Sequence, residues 1–279
     1  MPNERVWLIT GASSGFGEEI ARAALAGGDT VIGTSRSADR LEPLRREHGD
    51  RFVPLELDVL QAASFESAGS VIDDVVDAHG RLDVLVNNAG RTQVGALEET
   101  TEEELRHLFE LHFFGPAALT RAALPHFRRQ GGGTVVQMSS VGGQVTMAGF
   151  GVYCATKFAL EGLTETLVDE VPGVRFLIVE PGAFRTGLFD GTAAIVSAEM
   201  EEYAATVGAT RQYVATGGGT QPGDPAKAAA AIHQAVVGDS APTRLVLGPD
   251  AHDGIAARLE RMGEELRTWS QVARSTDFD

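Results

Sequence analysis

Short apolar runs alternate with longer amphipathic stretches along most of this chain. Runs such as residues 5–10 (RVWLIT), 30–35 (TVIGTS) and 174–180 (VRFLIVE) are nearly continuous in apolar residues, as is typical of strands buried on both faces. The stretches between the runs repeat apolar residues at helical spacing. Strands that alternate with helices predict a parallel sheet with helices on both faces. We therefore expect an α/β fold with a doubly wound parallel sheet of about seven strands.

The same pattern predicts the remaining elements. Residues 101–128 form the longest predicted helix, which opens on a capping box of Thr101 and Glu104 and is kinked at Gly115–Pro116. Residues 187–220 are rich in Ala, Thr and Gly, lack strand signals, and predict a mobile flap of one or two helices. No linker divides the chain, so we expect a single domain over residues 1–279. The other predicted strands are residues 51–58, 82–86, 134–138 and 244–247, and the other helices are residues 18–28, 38–50, 61–79, 152–170, 224–237 and 252–268.

Composition and charge exclude several classes of partner. The chain is 43% hydrophobic and carries a formal net charge of −16, which argues against a nucleic acid or an anionic membrane surface. Cys154 is the single cysteine, so an intrachain disulfide and a CxxC metal site are excluded, and we expect no bound metal. Residues 1–10 lack the pattern of a signal peptide, and no apolar run reaches the ~18 residues of a membrane span. We expect a cytoplasmic protein without a membrane span.

A glycine-rich turn, residues 11–17 (GASSGFG), lies between the first strand and the first helix. A strand, a glycine turn and a helix in this order present backbone N–H groups and the positive end of a helix dipole to a phosphate. A merely tight connection is the alternative. The second strand ends at Thr34-Ser35 without a carboxylate, and Arg36 follows it. A guanidinium there pairs with a ribose 2′-phosphate, which favours NADP(H) over NAD(H), unless Arg36 is only a solvated loop residue.

Other polar clusters follow the ends of the later strands. They are Asp58-Val59, residues 87–90 (NNAG), Ser140 and residues 181–186 (PGAFRT). The carboxyl ends of parallel strands share one edge of the sheet, where open α/β sheets bind ligands. Asn and Gly also favour plain turns at such places. Because every polar cluster falls on the same edge, we predict a single binding site there.

Tyr153 and Lys157 are four residues apart on a predicted helix and therefore lie on one face. A phenol titrates near pH ~10, and a neighbouring ammonium favours its ionised form. We expect Lys157 to lower the pKa of Tyr153 enough for proton exchange near neutral pH. Ser140, at the end of the preceding strand, is placed to hydrogen-bond a substrate oxygen. A lone tyrosine–lysine pair on a helix is more often a surface pair, and Cys154 beside it is interpreted as a small buried apolar residue.

Taken together, these motifs resemble the short-chain dehydrogenase/reductase family over residues 5 to about 187, with their order and spacing intact. The resemblance implies a Rossmann-type fold, with residues 1–135 for the cofactor and residues 136–279 for catalysis and substrate. It implies Tyr153 as the general acid/base, Ser140 as the holder of the substrate oxygen, and Lys157 as a contact to the nicotinamide ribose. The cofactor residues that it implies, beside Tyr153, Lys157 and Arg36, are Gly11, Ser13, Ser14, Gly15, Phe16, Gly17, Asp58, Val59, Asn88, Ala89, Gly90, Pro181, Gly182, Phe184 and Thr186.

The chain departs from the family at one position of the long helix. The family usually has an asparagine there, which holds a water that links the lysine to solvent, and this chain has His112. An imidazole both donates and accepts hydrogen bonds, so His112 either serves such a proton relay or is merely packed.

The resulting expectation is an NADP(H)-dependent oxidoreductase that interconverts a ketone or aldehyde and an alcohol by hydride transfer. The alternatives are a nucleotide-sensing regulator without catalysis and an NAD-linked alcohol dehydrogenase. The predicted pocket walls are mostly apolar, which favours a hydrophobic substrate, as in the steroid- and retinoid-active branch that the chain resembles. The resemblance also implies a homodimer or homotetramer, formed through helix 101–128 and the Tyr153 helix. The predicted wall residues are Val94, Val141, Met147, Phe150, Phe189, Ile195 and Tyr203.

Overall fold

A computed structural model describes residues 4–189 and 194–278 of the chain. Its main sheet has seven parallel strands in the order β3-β2-β1-β4-β6-β7-β9, and β5 and β8 pair as a second, small parallel sheet. The main sheet confirms the predicted doubly wound α/β fold. The strands are β1 (Val6–Ile9), β2 (Thr30–Ser35), β3 (Phe52–Glu56), β4 (Val84–Asn87), β5 (Gln93–Val94), β6 (Gly133–Met138), β7 (Val174–Pro181), β8 (Ile195–Val196) and β9 (Arg244–Leu247).

Helices cover both faces of the main sheet, and this explains the unbroken apolar runs. On β1, Trp7 and Ile9 belong to one buried cluster and Leu8 to the other, since successive side chains point to opposite faces. Within the described residues, no helix has both the length and the apolar character needed to cross a membrane. The helices are α1 (Gly15–Ala26), α2 (Glu42–His48), α3 (Phe65–His79), α4 (Glu102–Phe109), α5 (Gly115–Gln130), α6 (Gly151–Glu170), α7 (Ala204–Thr216), α8 (Pro225–Val237), α9 (Pro249–Thr268) and α10 (Ser270–Arg274).

The strand order reverses between β1 and β4, and this reversal places the site. Starting from β1, the strands β2 and β3 are added in turn on one side of the sheet. Starting from β4, the strands β6, β7 and β9 are added in turn on the other side. The connections therefore diverge at the carboxyl ends of β1 and β4 and leave a crevice between them. The glycine turn follows β1, and residues 87–90 follow β4. Two of the predicted polar clusters thus meet at this crevice.

The long helical stretch is divided by a wide turn. Thr101 and Glu104 form the predicted capping box, and α4 then runs into a π-helical turn over Glu110–Phe114 before α5 begins. Pro116 has no N–H to donate to the carbonyl group four residues earlier, and this favours an interruption of the ordinary helical pattern just before it. The interruption therefore precedes Gly115–Pro116 and contains His112, which turns toward the site.

Two expectations about apolar segments are wrong. Residues 187–220 do contain a strand, because β8 pairs with β5, and within the described residues one α-helix, α7, follows it. Residues 190–193 of the predicted flap lie outside the described residues. Phe65 is one of the apolar residues whose spacing predicts an amphipathic helix over residues 61–79, yet it is 59% exposed, with the guanidinium of Arg121 4.1 Å from the ring centre. It is the first residue of α3.

Candidate active site

The glycine turn forms a backbone cradle at the carboxyl end of β1. Gly11 and Gly15 have φ values of 68° and 57°, which residues other than glycine seldom adopt. A Cβ at Gly17 would lie 2.2 Å from the carbonyl oxygen of Gly11, so α1 packs this closely on the turn only with glycine there. Ser14 precedes α1 without a side-chain cap. The first N–H groups of α1 are therefore available to an anion.

The residues after β4 brace this cradle. The side-chain amide of Asn88 donates to the carbonyl oxygens of Thr10, at 2.8 Å, and Gly11, at 3.2 Å. The hydroxyl of Thr10 in turn accepts the backbone N–H groups of Asn88 and Ala89. Asn88 therefore holds the shape of the glycine turn in addition to lining the site, a role that its position in the sequence does not reveal.

A cavity of about 1080 Å³ runs along this edge of the sheet. It brings together all of the predicted catalytic and cofactor-binding residues except Gly17, which lies behind the turn and acts through packing. Sequence reasoning missed Asp250, whose carboxylate accepts the N–H of Ala183 at 2.7 Å, because no local motif marks a residue 67 positions away. The predicted residues that line the cavity are Gly11, Ser13, Ser14, Gly15, Phe16, Arg36, Asp58, Val59, Asn88, Ala89, Gly90, His112, Ser140, Tyr153, Lys157, Pro181, Gly182, Phe184 and Thr186.

One end of the cavity is cationic. Arg36 lines it at the end of β2, and Arg40 and Arg91 line it as well. Burial lowers the pKa of the Arg91 guanidinium, and the charge of Arg36 lowers it further. Two guanidinium groups that repel one another in this way stabilise a bound anion.

Ser140, Tyr153 and Lys157 meet at the other end. Ser140 follows β6 and accepts the N–H of Gly142 at 3.0 Å, while Tyr153 and Lys157 lie one turn apart on α6. The ammonium of Lys157 is 5.8 Å from the centre of the Tyr153 ring and donates to the carbonyl oxygen of Met138 at 2.8 Å. The end of β6 thus anchors the lysine, and the predicted trio shares one wall.

The electrostatics of this trio correct one expectation. Burial raises the pKa of Tyr153 from 10.0 to about 12, and the hydrogen bond with Ser140 only partly offsets it. The expected lowering by Lys157 is therefore wrong for the protein without ligands, because desolvation of the phenolate outweighs the neighbouring charge. Burial also lowers the pKa of Lys157 from 10.5 to about 8. At pH 7 the site holds a neutral phenol beside a mostly protonated amine.

His112 is buried, and both of its ring nitrogens are engaged. Nε2 accepts the backbone N–H of Arg91 at 3.2 Å, and Nδ1 lies 2.9 Å from the hydroxyl of Thr156. Because that hydroxyl donates to the carbonyl oxygen of Tyr153, it must accept from His112, which assigns the proton to Nδ1. Burial, and then the charge of Lys157, hold the pKa of His112 well below its usual value. A neutral imidazole therefore ties the loop after β4 to α6.

The ring of His112 also contacts the ring of Tyr153. Its plane stands edge-on to the Tyr153 ring at 86°, with ring centres 5.6 Å apart. The π-helical turn over Glu110–Phe114 brings the imidazole to this depth. The aromatic contact restricts the orientation of the phenol, whether or not His112 takes part in a proton relay.

The substrate end of the cavity is mostly apolar, but its walls differ in part from those predicted. Val141, Met147 and Phe150 line it as predicted, together with Val145, Leu188 and Tyr213. Val94 and Tyr203 instead pack in a separate cluster with residues of α7. Val94 and Ile195 belong to the paired strands β5 and β8, and none of these three residues lines the cavity. The side chain of Phe189 lies outside the described residues. Cys154 is buried as predicted, and burial raises the pKa of its thiol.

Known proteins with this arrangement agree on the family. The model of the short chain dehydrogenase family matches residues 5–195. The crystal structure of a short-chain dehydrogenase from Streptomyces avermitilis is 55% identical, with a TM-score of 0.90 and 99% of each chain covered. A 3-ketodihydrosphingosine reductase from Bacteroides thetaiotaomicron is 36% identical over 203 residues, 72% of each chain. An alcohol dehydrogenase from Thermococcus sibiricus, solved with 5-hydroxy-NADP, is 29% identical, with a TM-score of 0.71 and 88% and 96% of the two chains covered. The chain belongs to the short-chain dehydrogenase/reductase family of oxidoreductases.

Proposed function

We propose that this protein is an NADP(H)-dependent oxidoreductase that interconverts a hydrophobic ketone or aldehyde and the corresponding alcohol. The observation that carries the proposal is that Ser140, Tyr153 and Lys157 line the same cavity as the glycine turn after β1, whose free backbone N–H groups suit a phosphate. A proton donor and an anion-binding turn that share one cavity are the two parts that reduction by a bound nucleotide requires. The whole chain, residues 1–279, acts as a single catalytic domain in this proposal.

The cradle fits the pyrophosphate of a dinucleotide. The uncapped N–H groups at the start of α1 and the left-handed glycines at Gly11 and Gly15 offer donors without side chains in the way. Asp58 and Val59 line the part of the cavity where an adenine ring would lie. On the other side, Thr186 is 3.2 Å from a Cβ built on Gly15, so the residues after β7 close over the cradle.

The preference for NADP(H) rests on the cationic end of the cavity. Arg36 follows β2 directly, and Arg40 lines the same end. A ribose 2′-phosphate pairs with guanidinium groups, whereas the carboxylate that binds a free 2′-hydroxyl is missing from the tip of β2. The Thermococcus relative was solved with an NADP derivative, which supports the same preference.

In the direction of reduction, Tyr153 donates its proton to the substrate oxygen. With a pKa near 12, the phenol is fully protonated at pH 7, and an alkoxide is a stronger base than the phenolate that remains. Ser140 donates a hydrogen bond to the same oxygen and stabilises the charge that develops there. Bound NADPH supplies the hydride to the carbonyl carbon.

Lys157 stabilises the phenolate that this step leaves behind. Its ammonium lies 5.8 Å from the phenol ring, and at an effective dielectric of about 20 such a charge is worth roughly 3 kcal/mol to an anion there. His112 fixes the phenol from the opposite side through Thr156 and through its own ring. In this proposal His112 therefore positions Tyr153.

The substrate class follows from the walls around this trio. Val141, Met147, Phe150 and Leu188 leave few polar groups for a sugar or a charged acid, whereas they suit an extended apolar ketone. The similarity to the 3-ketodihydrosphingosine reductase of Bacteroides supports a ketone with an apolar chain.

The test follows the oxidation of NADPH by absorbance with a panel of apolar ketones and aldehydes, and repeats the panel with NADH. Wild-type protein turns over at least one apolar ketone with NADPH, and Tyr153→Phe keeps NADPH binding but loses about a hundredfold or more in kcat. Turnover by Tyr153→Phe close to that of the wild type would refute the proposed role of the tyrosine. NADPH binding without turnover of any carbonyl would favour a regulator instead.

A further inference from the structure

A buried polar network lies directly behind the catalytic trio. Glu161 is on α6, one turn after Lys157, and is 2% exposed. One of its carboxylate oxygens accepts from the hydroxyl of Ser139, and the other accepts from the side-chain amide of Gln144, at 2.5 Å, and from Arg244. Both oxygens are thus held by donors from outside its own helix.

These donors connect Glu161 to the segment that carries Ser140. Ser139 is the residue before Ser140, and its N–H bonds the carbonyl oxygen of Val179 on β7 at 2.9 Å. Gln144 ends the short turn that follows Ser140. Glu161 therefore accepts hydrogen bonds from both ends of this turn. Because α6 carries Glu161 as well as Tyr153 and Lys157, these bonds link the turn to the helix of the trio.

The turn after Ser140 packs closely on the carboxylate at Gly143. A Cβ built on Gly143 would lie 1.8 Å from a carboxylate oxygen of Glu161 and 2.6 Å from the hydroxyl of Ser139. Only glycine at this position lets the turn close over the carboxylate. The absence of a side chain at Gly143 and the burial of a charge at Glu161 are thus parts of one arrangement.

Arg244 on β9 is the cation of this network and is shared by three acidic side chains. It binds Glu161, Glu180 of β7 and the more exposed Glu165 of α6, the last at 2.8 Å. Lys157 is the remaining charged neighbour, and the carboxylate of Glu161 opposes the lowering of the lysine pKa that burial causes. Arg244 thus links Glu161 of α6 and Glu180 of β7 to β9, while burial and the charge of Glu161 raise the pKa of Glu180 to about 7.

We propose that Glu161 is a positioning residue of the active site, which holds the Ser139–Ser140 turn at a fixed distance from the helix of Tyr153 and Lys157. Because this role rests on the proposed function, the test must separate the two. Glu161 does not itself line the cavity, whereas Ser139, which it contacts, and Lys157, whose pKa its charge raises, do line it. Glu161 therefore acts through these two residues.

The chain offers a direct measurement, because Lys157 and Lys227 are its only lysines. Protein labelled with ¹³C-lysine gives two side-chain NMR signals, and Lys227→Arg assigns them. Titration of the unliganded protein then reports the pKa of Lys157 without cofactor or turnover. The variants are Glu161→Gln, Ser139→Ala and their combination, and the matched control is Asp169→Asn, which removes an exposed charge from the same helix.

Glu161→Gln is expected to lower the pKa of Lys157 and to shift the alkaline limb of kcat toward lower pH. We expect its kcat to fall about tenfold or more while the dissociation constant of NADPH changes less than about twofold. Ser139→Ala, which keeps the pairing with Arg244, lowers kcat without moving the lysine pKa. The double variant loses less than the product of the two single losses, because both changes break one contact. Asp169→Asn changes none of these values.

Lysine titration and kcat like those of the wild type in Glu161→Gln would overturn the inference. If Glu161→Gln does not fold, an unchanged kcat in Ser139→Ala overturns it instead. A wild-type protein that turns over no carbonyl refutes the proposed function, and the lysine titration still decides whether Glu161 controls the charge at Lys157.

Discussion

Replacing Lys157 by methionine tests the electrostatic account of the site without any substrate. Lys157 is 6% exposed, and its pKa falls from 10.5 to about 8 in the folded protein. Between these two pH values the unfolded chain binds the proton that the folded chain has released. The wild type therefore gains stability as pH rises through this range, whereas Lys157→Met does not.

The magnitude follows from the shift. One pKa unit is worth about 1.4 kcal/mol, so a shift from 10.5 to about 8 amounts to about 3 kcal/mol in full, of which about 2 kcal/mol is recovered between pH 7 and pH 9.5. The variant also loses the hydrogen bond to Met138, and this loss lowers its free energy of unfolding by a similar amount at each pH. Titrating groups that do not interact with Lys157 cancel between the two proteins, and His112 stays neutral in this pH range because burial is the main cause of its low pKa.

Urea unfolding measured by the fluorescence of the buried Trp7 gives the free energy of unfolding at pH 7, 8.5 and 9.5 for both proteins. Lys227→Met is the matched control, since Lys227 is exposed on α8. We expect the difference between wild type and Lys157→Met to change by about 2 kcal/mol over this range in favour of the wild type, and that for Lys227→Met to stay constant. A constant difference for Lys157→Met as well would refute the reasoning, because the lysine would then titrate as if in water.

Two further predictions concern the cofactor and His112. Arg36→Asp should lower the preference for NADPH over NADH, measured as the ratio of kcat/KM, by about tenfold or more, and an unchanged ratio would exclude Arg36 from the 2′-phosphate site. His112→Ala should lower kcat about tenfold, because the contact with Tyr153 and the bridge to Arg91 are lost. An Ala variant whose rate and pH profile match the wild type would count against any role of His112 in catalysis.

The fold and most of the site follow from local patterns in the sequence. The apolar runs predict the seven strands because both faces of the sheet are covered, and the polar clusters at their ends predict the cavity because parallel strands share one edge. Asp224-Pro225 opens α8 as the pattern predicts, with the Asp224 side chain accepting from the N–H groups of Ala226 and Lys227. These features depend on neighbours in the chain, and the sequence shows such neighbours directly.

The remaining features depend on contacts between distant residues. Nothing near Glu161 in the sequence indicates Arg244, 83 positions away, and nothing near Val94 indicates the pairing of β5 with β8. The predicted lowering of the Tyr153 pKa is wrong, because the spacing in the sequence shows the neighbouring charge of Lys157 but not how deeply the phenol is buried. Sequence patterns therefore predict which motifs share the edge of the sheet. Contacts between distant residues, and the protonation states that depend on burial, follow only from the packing.

The central claim is that reduced nicotinamide delivers a hydride to a carbonyl carbon while Tyr153 protonates the oxygen. The most direct test uses NADPH that carries deuterium on both positions of nicotinamide C4, with an apolar ketone that the wild-type protein reduces. The account predicts that the product alcohol carries one deuterium on its carbinol carbon, and that Tyr153→Phe forms it about a hundredfold more slowly or worse. A product without deuterium on that carbon would contradict the account.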